Sequence, residues 1–311
     1  MTPAGTQSNG PSKNERREAA REQARIHREQ LRKKERRTRL IWQGGGVLSV
    51  VLVVALIVWI SLGNQKVTGG GPTNMASDGF KVSLVNGEIK PVLNAAQPAT
   101  AAPIPNEQAT PDKVANIVIY VDYLCPICGQ FEKTNAPTID AWLKKGFATL
   151  EVHPIAILTN QSLGTKYSLR AANAMACVAA LSPDNAYAYN KSLFENQPEE
   201  GTDGLKNSKL TELASAAGAS GSAVADCIDK GTYQDWVVAA TTRATGSQLP
   251  QAPDGTKVTG TPTVIVNGQP YKLTQAGLTD PADFTAFVTK VVSAATPTAT
   301  EAPTATPTAT P

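Results

Sequence analysis

The sequence predicts an α/β domain that follows a single transmembrane helix. An uncharged run at 40–62 is long enough to span a bilayer. A β-branched stretch at 114–121 leads into a helical pattern, and alternating apolar residues at 148–154 indicate the next strand. A strand–turn–strand pattern at 261–273 precedes a final helix at 280–292. The order β-α-β, helices, β-β-α therefore predicts a parallel crossover followed by an antiparallel edge.

The positive charge of the chain is concentrated before the uncharged run. All 311 residues carry 29 Lys and Arg against 26 Asp and Glu, a formal net charge of +3. Residues 1–40 hold 12 of the basic and 5 of the acidic side chains, so their local charge is +7 and the remainder sums to −4. Segment 1–39 either binds anionic lipid or nucleic acid or is a solvated helix that sets topology. We favour the solvated helix, touching lipid headgroups at its end, and expect no nucleic acid among the partners.

The run 40–62 is predicted to be an uncleaved signal anchor. As a helix its 23 residues extend about 34 Å, and Trp42 and Trp59 lie near its two ends. A buried core helix of this length would show a polar face, and a signal peptide would have a shorter apolar region followed by a cleavage site. Because positive flanks remain in the cytoplasm, we expect a single-pass cell-membrane protein with residues 63–311 outside the cytoplasm.

Two exported segments are predicted to flank the packed domain, which we place at 113–293. Residues 63–112 form a linker with a β-hairpin at 80–93, where apolar residues alternate before an Asn-Gly turn signal. Residues 294–311 repeat the letters PTAT. Since Thr, Ala and Pro alone cannot build a core, a disordered tail is expected there.

The two halves of the domain are predicted to be separated by a helical insertion at 165–244. The helix before the insertion should begin at or just after Cys125 and run to about Asn135. Pro137 is expected to bend or end that helix, because proline lacks a backbone N–H, and a further helical turn should follow.

Cys125 and Cys128 are spaced C-x-x-C after the first domain strand, and three kinds of site compete for them. Zinc usually takes four ligands, but Cys177 and Cys227 are far apart in separate predicted helices, and the domain's one histidine, His153, is interpreted as structural. A structural disulfide across two residues would close a loop too small to add much stability. A redox pair without metal or cofactor is therefore favoured.

The redox interpretation has a physical basis in the helix that follows. The positive end of the helix dipole favours a thiolate at Cys125, and the thiolate is the nucleophile. Cys128 lies on the same helix face, so it can attack a mixed disulfide and release the product. Pro126 suits the first helical turn, which tolerates a missing N–H. We therefore expect Cys125 to be the exposed attacking thiol and Cys128 the shielded resolving thiol.

The motif DYLCPICGQF after a buried strand, together with GTPTVIVNG at 260–268, resembles the DsbA-like thiol:disulfide oxidoreductases of thioredoxin fold. The resemblance covers about 113–293 and includes the helical insertion. It implies that Pro262 is a cis-proline facing the cysteine pair and that the backbone of Thr261 pairs with substrate polypeptide. A proline that merely starts a strand is the local alternative.

Two features depart from the family pattern. The family typically has Pro-His between its cysteines, whereas this chain has Pro126-Ile127. Ile127 cannot donate a hydrogen bond to the thiolate, so a weaker oxidant is expected. The buried acid that thioredoxin places six residues before its first cysteine is replaced by Ile119. Asp122, the nearest acid, is either a proton acceptor for Cys128 or a loop-end cap, and we favour the cap.

Cys177 and Cys227 have three interpretations. As a structural disulfide they would close a 50-residue loop, which stabilises by about 4 kcal/mol in the chain-entropy model. Two buried free thiols are the alternative, although they are less common in an oxidising compartment. A redox relay is the third, but it lacks the C-x-x-C geometry. The structural disulfide is favoured, and membrane-anchored DsbA-like proteins of actinobacterial type resemble this arrangement.

Together these features predict a membrane-tethered, extracytoplasmic thiol:disulfide oxidoreductase that oxidises the dithiols of exported proteins. By resemblance, a quinone-linked membrane partner of VKOR or DsbB type reoxidises the cysteine pair, and the chain is expected to be a monomer. The alternatives are a reductase or isomerase of the same fold and, from another class, a copper- or zinc-binding delivery or adaptor domain.

Overall fold

The computed structural model describes residues 69–109, 113–252 and 255–295. The predicted basic segment and transmembrane span lie outside these ranges, as does the predicted tail from residue 296 onward. Among the residues described, no helix combines the length and apolar character that crossing a bilayer requires.

One six-stranded sheet, in the order β2-β1-β4-β3-β5-β6, organises the described residues. The strands are β1 Phe80–Val85, β2 Glu88–Pro91, β3 Ala115–Val121, β4 Ala148–Pro154, β5 Thr263–Val266 and β6 Gln269–Tyr271. Strands β3 and β4 are parallel, and every other neighbouring pair is antiparallel. The predicted parallel crossover and antiparallel edge are thus confirmed.

Helices cover the sheet and build the insertion. They are α1 Pro126–Lys144, α2 Tyr167–Leu181, α3 Ala186–Glu195, α4 Asn207–Ala216, α5 Ser222–Lys230, α6 Gln234–Gly246 and α7 Pro281–Ala295. Helices α2 to α6 occupy the predicted insertion between β4 and β5. Helices α1 and α7 pack together on one face of the sheet, where the rings of Phe131 and Phe284 meet edge to face at 5.4 Å.

The packed region begins earlier than residue 113. The predicted hairpin is present, but it belongs to the sheet, because β1 pairs with β4 and places Phe80 opposite Val152. Met75 and Phe80 are buried in the main core. The prediction of a linker over 63–112 is therefore wrong for the segment that starts at about Met75, because this segment belongs to the packed domain. Its apolar side chains are covered by strands and helices more than 60 residues away, which no local pattern reveals.

Helix α1 runs through Pro137 without ending, contrary to the predicted end near Asn135. Pro137 removes the hydrogen bond to the carbonyl of Lys133, but both residues are exposed, so water can solvate that carbonyl. The buried amide of Asn135 donates to the carbonyls of Phe131 and Gly277 at 3.1 and 2.9 Å. This tertiary anchor holds the helix in line at the position where proline would otherwise break it.

The strand β3 contributes to two apolar layers because its side chains alternate between the faces of the sheet. Ile117 and Ile119 are buried in the main core with α1 and α7. Val118 and Tyr120 pack in a second cluster on the opposite face, together with Leu249 and other residues that follow α6. Both faces are covered, which explains why β3 is an unbroken apolar run in the sequence.

Cys177 of α2 and Cys227 of α5 form a disulfide, with an S–S distance of 2.03 Å and a Cα–Cα distance of 5.8 Å. Cys177 is fully buried and Cys227 is 6% exposed. The bond joins two helices of the insertion and lies within the main core.

Candidate active site

The cysteine pair lies where the central strand β3 gives way to α1. Cys125 is the N-cap residue of α1, with an extended backbone, and Pro126 occupies the first helical position. The amide of Cys125 donates to the Asp122 carbonyl at 3.0 Å, which turns the chain into the helix. Cys125 is 6% exposed, whereas Cys128, one turn further on, has no exposed surface. The prediction of an exposed Cys125 is therefore wrong, because the start of α1 and the segment before β5 bury it, although Cys125 is still the more accessible of the two thiols.

A second chain segment closes the site opposite the cysteines. The peptide bond between Thr261 and Pro262 is cis and immediately precedes β5. Because β5 pairs with β3, these residues come next to the start of α1, 136 positions away in sequence. The thiol of Cys125 donates to the Thr261 carbonyl at 3.2 Å. The structure therefore brings together the two motifs that the sequence analysis linked by resemblance.

The two thiols differ in acidity. A hydrogen bond from Cys128 lowers the pKa of Cys125 to about 7 from an ordinary 9, although partial burial opposes the shift. Burial raises the pKa of Cys128 well above its ordinary value, and the neighbouring Cys125 adds to the increase. At neutral pH about half of Cys125 is therefore thiolate, whereas Cys128 remains a thiol, and this difference is the one that an attacking and a resolving cysteine require.

The hydrogen bond between the thiols can be tested by replacing its donor. Cys128→Ala removes the donor, so the Cys125 pKa should rise from about 7 toward 9. Cys128→Ser keeps a hydroxyl donor and should hold that pKa near the wild-type value. The pH dependence of iodoacetamide alkylation of the reduced proteins measures all three pKa values. Equal midpoints in the alanine and serine variants would contradict a role for this hydrogen bond.

Asp122 is fully buried just before the cysteines. Its two carboxylate oxygens accept the backbone N–H groups of Leu124 and Leu158, each at 2.9 Å. Burial raises the pKa of Asp122 to about 6 despite these bonds. The carboxylate thus ties the catalytic loop to the segment after β4, which fits the loop-end cap favoured from sequence. Its alternative role as a proton acceptor for Cys128 stays a prediction.

Comparison with known proteins shows the family to which the chain belongs. A family model described as thioredoxin matches residues 107–290. The chain belongs to the thioredoxin family. The reduced disulfide bond oxidoreductase DsbG of Mycobacterium tuberculosis is 33% identical, covering 60% of this chain and 86% of that one, with a TM-score of 0.46. Oxidised DsbA of the same organism is 30% identical, covering 69% and 92% of the two chains, with a TM-score of 0.48.

The curated relatives of the chain are much longer proteins of another class. The serine/threonine-protein kinase PknE of M. tuberculosis is 32% identical over 152 residues, which is 48% of this chain and 26% of the kinase. The chain thus matches about a quarter of the length of these relatives. The thioredoxin-family region, by contrast, aligns with most of DsbG and DsbA, and it contains the C-x-x-C pair at the start of its helix. The cysteine pair thus lies inside the region that the thioredoxin family model matches.

Pro126 and Ile127 form part of the surface next to Cys125 in this thioredoxin-family domain. Ile127 is 40% exposed and Pro126 is also exposed, so the surface beside Cys125 is apolar and offers the thiolate no side-chain donor at either position. Within the described ranges, no group of three or more His, Cys, Asp or Glu side chains is arranged to hold a metal ion.

Gln197 completes the catalytic loop, and the sequence analysis missed it. It follows α3 in the insertion, and its Nε2 donates to the carbonyls of Tyr123 at 3.1 Å and Cys125 at 2.9 Å. A Cβ atom at Gly129 would overlap the carboxamide oxygen of Gln197, so the glycine leaves room for this side chain. Gln197 therefore ties the backbone around Cys125 to the insertion. A lone glutamine in a predicted helical region carried no signal.

The packing of Gln197 against Gly129 predicts that Gly129→Ala changes the free energy of unfolding in the direction opposite to the usual one. In a helix, Gly→Ala normally stabilises by about 0.5–1 kcal/mol. In the wild-type background, Gly129→Ala should instead destabilise, because it displaces the Gln197 amide and its two hydrogen bonds, each worth about 1 kcal/mol. In a Gln197→Ala background, the same change should stabilise. Urea unfolding of the four proteins measures both effects, and stabilisation by Gly129→Ala in both backgrounds would refute the contact.

Proposed function

We propose that the protein is a membrane-tethered, extracytoplasmic oxidoreductase that oxidises pairs of thiols in exported proteins to disulfides. The observation that carries the proposal is the difference in acidity between Cys125, which retains a little exposed surface, and the fully buried Cys128 at the start of α1. The Thr261 carbonyl, 3.2 Å from the Cys125 sulfur, provides a backbone acceptor where an incoming polypeptide can pair.

The reaction needs two thiol–disulfide exchanges. A substrate thiolate attacks Sγ of Cys125 in the Cys125–Cys128 disulfide, and Cys128 leaves with both electrons of the broken bond and takes up a proton. The second substrate thiol, having lost its proton, then attacks the mixed disulfide and displaces Cys125 as a thiolate. The substrate loses two electrons and two protons, and the cysteine pair gains the electrons. The lowered pKa of Cys125 favours it as the leaving group in the second step.

The location of the domain is proposed from charge and from cysteine usage. The uncharged run at 40–62 follows a strongly basic segment, the pattern expected of an anchor with a cytoplasmic N-terminus. The disulfide between Cys177 and Cys227 supports an oxidising compartment, because the cytosol keeps most thiols reduced. A quinone-linked membrane protein of VKOR or DsbB type would return the reduced pair to its disulfide form.

One observation favours a second candidate, a reductase or isomerase. The Cys125 pKa of about 7 lies near that of thioredoxin, about 7, and far above that of the strong oxidant DsbA, about 3.5. Ile127 also lacks the donor that would stabilise the thiolate further. A less stable thiolate makes the reduced form less favourable and lowers the reduction potential.

The deciding experiment is the reduction potential of the Cys125–Cys128 pair, measured against glutathione, together with oxidation of a reduced model protein. We expect a potential between about −120 mV, typical of DsbA, and about −270 mV, typical of thioredoxin. A value nearer −120 mV with dithiol oxidation supports the oxidase. A value at −270 mV with insulin reduction supports the reductase, and stoichiometric retained copper or zinc without either activity would refute both.

A further inference from the structure

A groove runs along α1 beside the redox pair. Its volume is about 1140 Å³, and it lies between α1 and the segment 191–200, which includes the end of α3. We call it the α1 groove. It begins at Pro126 and Gly129, next to the two cysteines, and reaches Asp140. From Pro126 to Asp140 the helix rises about 21 Å, the length of about six extended residues.

The groove combines an apolar lining with carboxylates. Its apolar residues include Pro126, Ala136, Pro137, Phe194 and Pro198. Five carboxyl groups and two lysines also line it, namely Glu132, Asp140, Glu195, Glu199, Glu200, Lys133 and Lys191. The excess of negative charge lies beside apolar surface, so the groove offers contacts both to apolar side chains and to cations.

The carboxylates differ in whether a cation already pairs with them. Asp140 pairs with Lys144 at 2.6 Å and more distantly with Lys191 at 3.9 Å. In the part of the chain that the structure describes, no ion pair involves Glu195, Glu199 or Glu200, and all three are exposed. These three side chains form an unpaired acidic rim of the groove that Pro126 and Gly129 also line.

Glu132 gives an independent indication that a cation belongs here. Its half-buried carboxyl group lies in the groove, and burial raises its pKa to about 7, although Asn190 and Lys191 oppose the shift. None of the described residues forms an ion pair with it. Lys191 acts on this carboxyl group only from beyond ion-pair distance, so an incoming Lys or Arg that forms a direct pair would stabilise its charged form.

We propose that the α1 groove binds the polypeptide segment next to the reacting cysteine of the partner protein and prefers segments that carry Lys or Arg. This inference rests on the proposed function, since the segment is delivered by the mixed disulfide at Cys125. The apolar lining fits the side chains between the charged ones, and the unpaired rim supplies charge complementarity. The groove thus selects among dithiol substrates, whereas the cysteine pair reacts with any thiol that reaches it.

The test uses the full-length oxidised protein in detergent and three dithiol peptides. The peptides are identical except at three positions, located three to six residues from one cysteine, that carry Lys, Gln or Glu. Each rate is divided by the rate of the same peptide with oxidised glutathione, which removes the effect of the charges on thiol reactivity itself. We expect a Lys-to-Glu preference of about tenfold at low salt that falls toward one at 1 M salt.

Two matched variants separate the groove from the general field of the protein. Glu195→Gln, Glu199→Gln and Glu200→Gln together should reduce the Lys-to-Glu preference to within about twofold. A control with the same change of charge, Glu212→Gln, Asp226→Asn and Asp229→Asn, alters the exposed surface of α4 and α5 and should keep the preference.

The outcomes are distinct. An equal loss of the Lys-to-Glu preference in both triple variants would refute binding in the groove, because the preference would then come from the long-range electrostatic field of the protein. Binding of Ca²⁺ at the rim with no peptide preference would overturn it too. If the wild-type protein oxidises none of the peptides, the proposed function fails, yet fluorescence anisotropy of cysteine-free Lys and Glu peptides still tests the groove. No difference between those two peptides would refute it separately.

Discussion

Cys125→Ser is expected to reduce dithiol oxidation to the uncatalysed background. Without the Cys125 sulfur no disulfide can form with Cys128, and the remaining thiol is fully buried with a raised pKa, so it is a poor nucleophile. The measurement is the oxidation of a reduced model protein by the pre-oxidised enzyme, followed by thiol titration. Retention of even a tenth of the activity would contradict the assignment of Cys125 as the attacking residue.

Cys128→Ala should have a different consequence, because it removes the resolving thiol and leaves the attacker. When Cys125 attacks a substrate disulfide, one substrate thiol is released and the mixed disulfide persists. Non-reducing electrophoresis and mass spectrometry should show this covalent complex for Cys128→Ala but not for Cys125→Ser. Unfolding curves of both variants provide the control for folding. A failure of Cys128→Ala to accumulate the complex would show that another group resolves it.

Removal of the disulfide in the insertion is expected to have the largest effect on stability. Cys177→Ala with Cys227→Ala should lower the free energy of unfolding by about 4 kcal/mol, because the unfolded chain regains the freedom of a 50-residue loop. Both sulfur atoms are also buried in the main core, so loss of packing adds to this value. Urea unfolding at neutral pH, without reductant, measures the difference.

Unfolding in the presence of a reductant separates the chain-entropy contribution of the disulfide from the packing contribution of its sulfur atoms. With dithiothreitol throughout, the unfolded wild-type chain also lacks the cross-link, so its advantage over the double alanine variant should shrink to the packing contribution. A difference that is unchanged by reductant would show that packing, and not chain entropy, dominates. Single variants are less informative, since the unpaired partner can exchange with Cys125.

The sequence-based prediction of the site succeeded where residues act through their own neighbours. Cys125 caps α1 and Cys128 lies in its first turn, and the β-branched run before them could be recognised as a buried strand without any partner. The prediction was incomplete where a contact crosses the fold. Gln197 approaches Cys125 from the insertion, and Leu158 reaches Asp122 from beyond β4.

The distinction between local and long-range contacts also explains where the predicted fold and the observed fold differ. Pro137 was expected to bend or end α1 because local backbone chemistry disfavours proline inside a helix. The anchor that overrides this preference is the bond from Asn135 to Gly277, which lies 142 residues away. Likewise, the hairpin was recognisable from its Asn-Gly turn, but its place beside β4 depends on a distant edge that the hairpin sequence does not encode by itself.

The amino-acid sequence alone determined the order of strands and helices and the identity of the cysteine pair, because strand periodicity, helix starts and C-x-x-C spacing are local properties. Only the tertiary structure decided which groups surround that pair. The burial of each thiol depends on segments that meet when the sheet packs against the insertion. The same packing brings the Thr261 carbonyl and the Gln197 amide to Cys125. Thiol acidity responds to burial and hydrogen bonding within a few ångströms, so it is set by that packing.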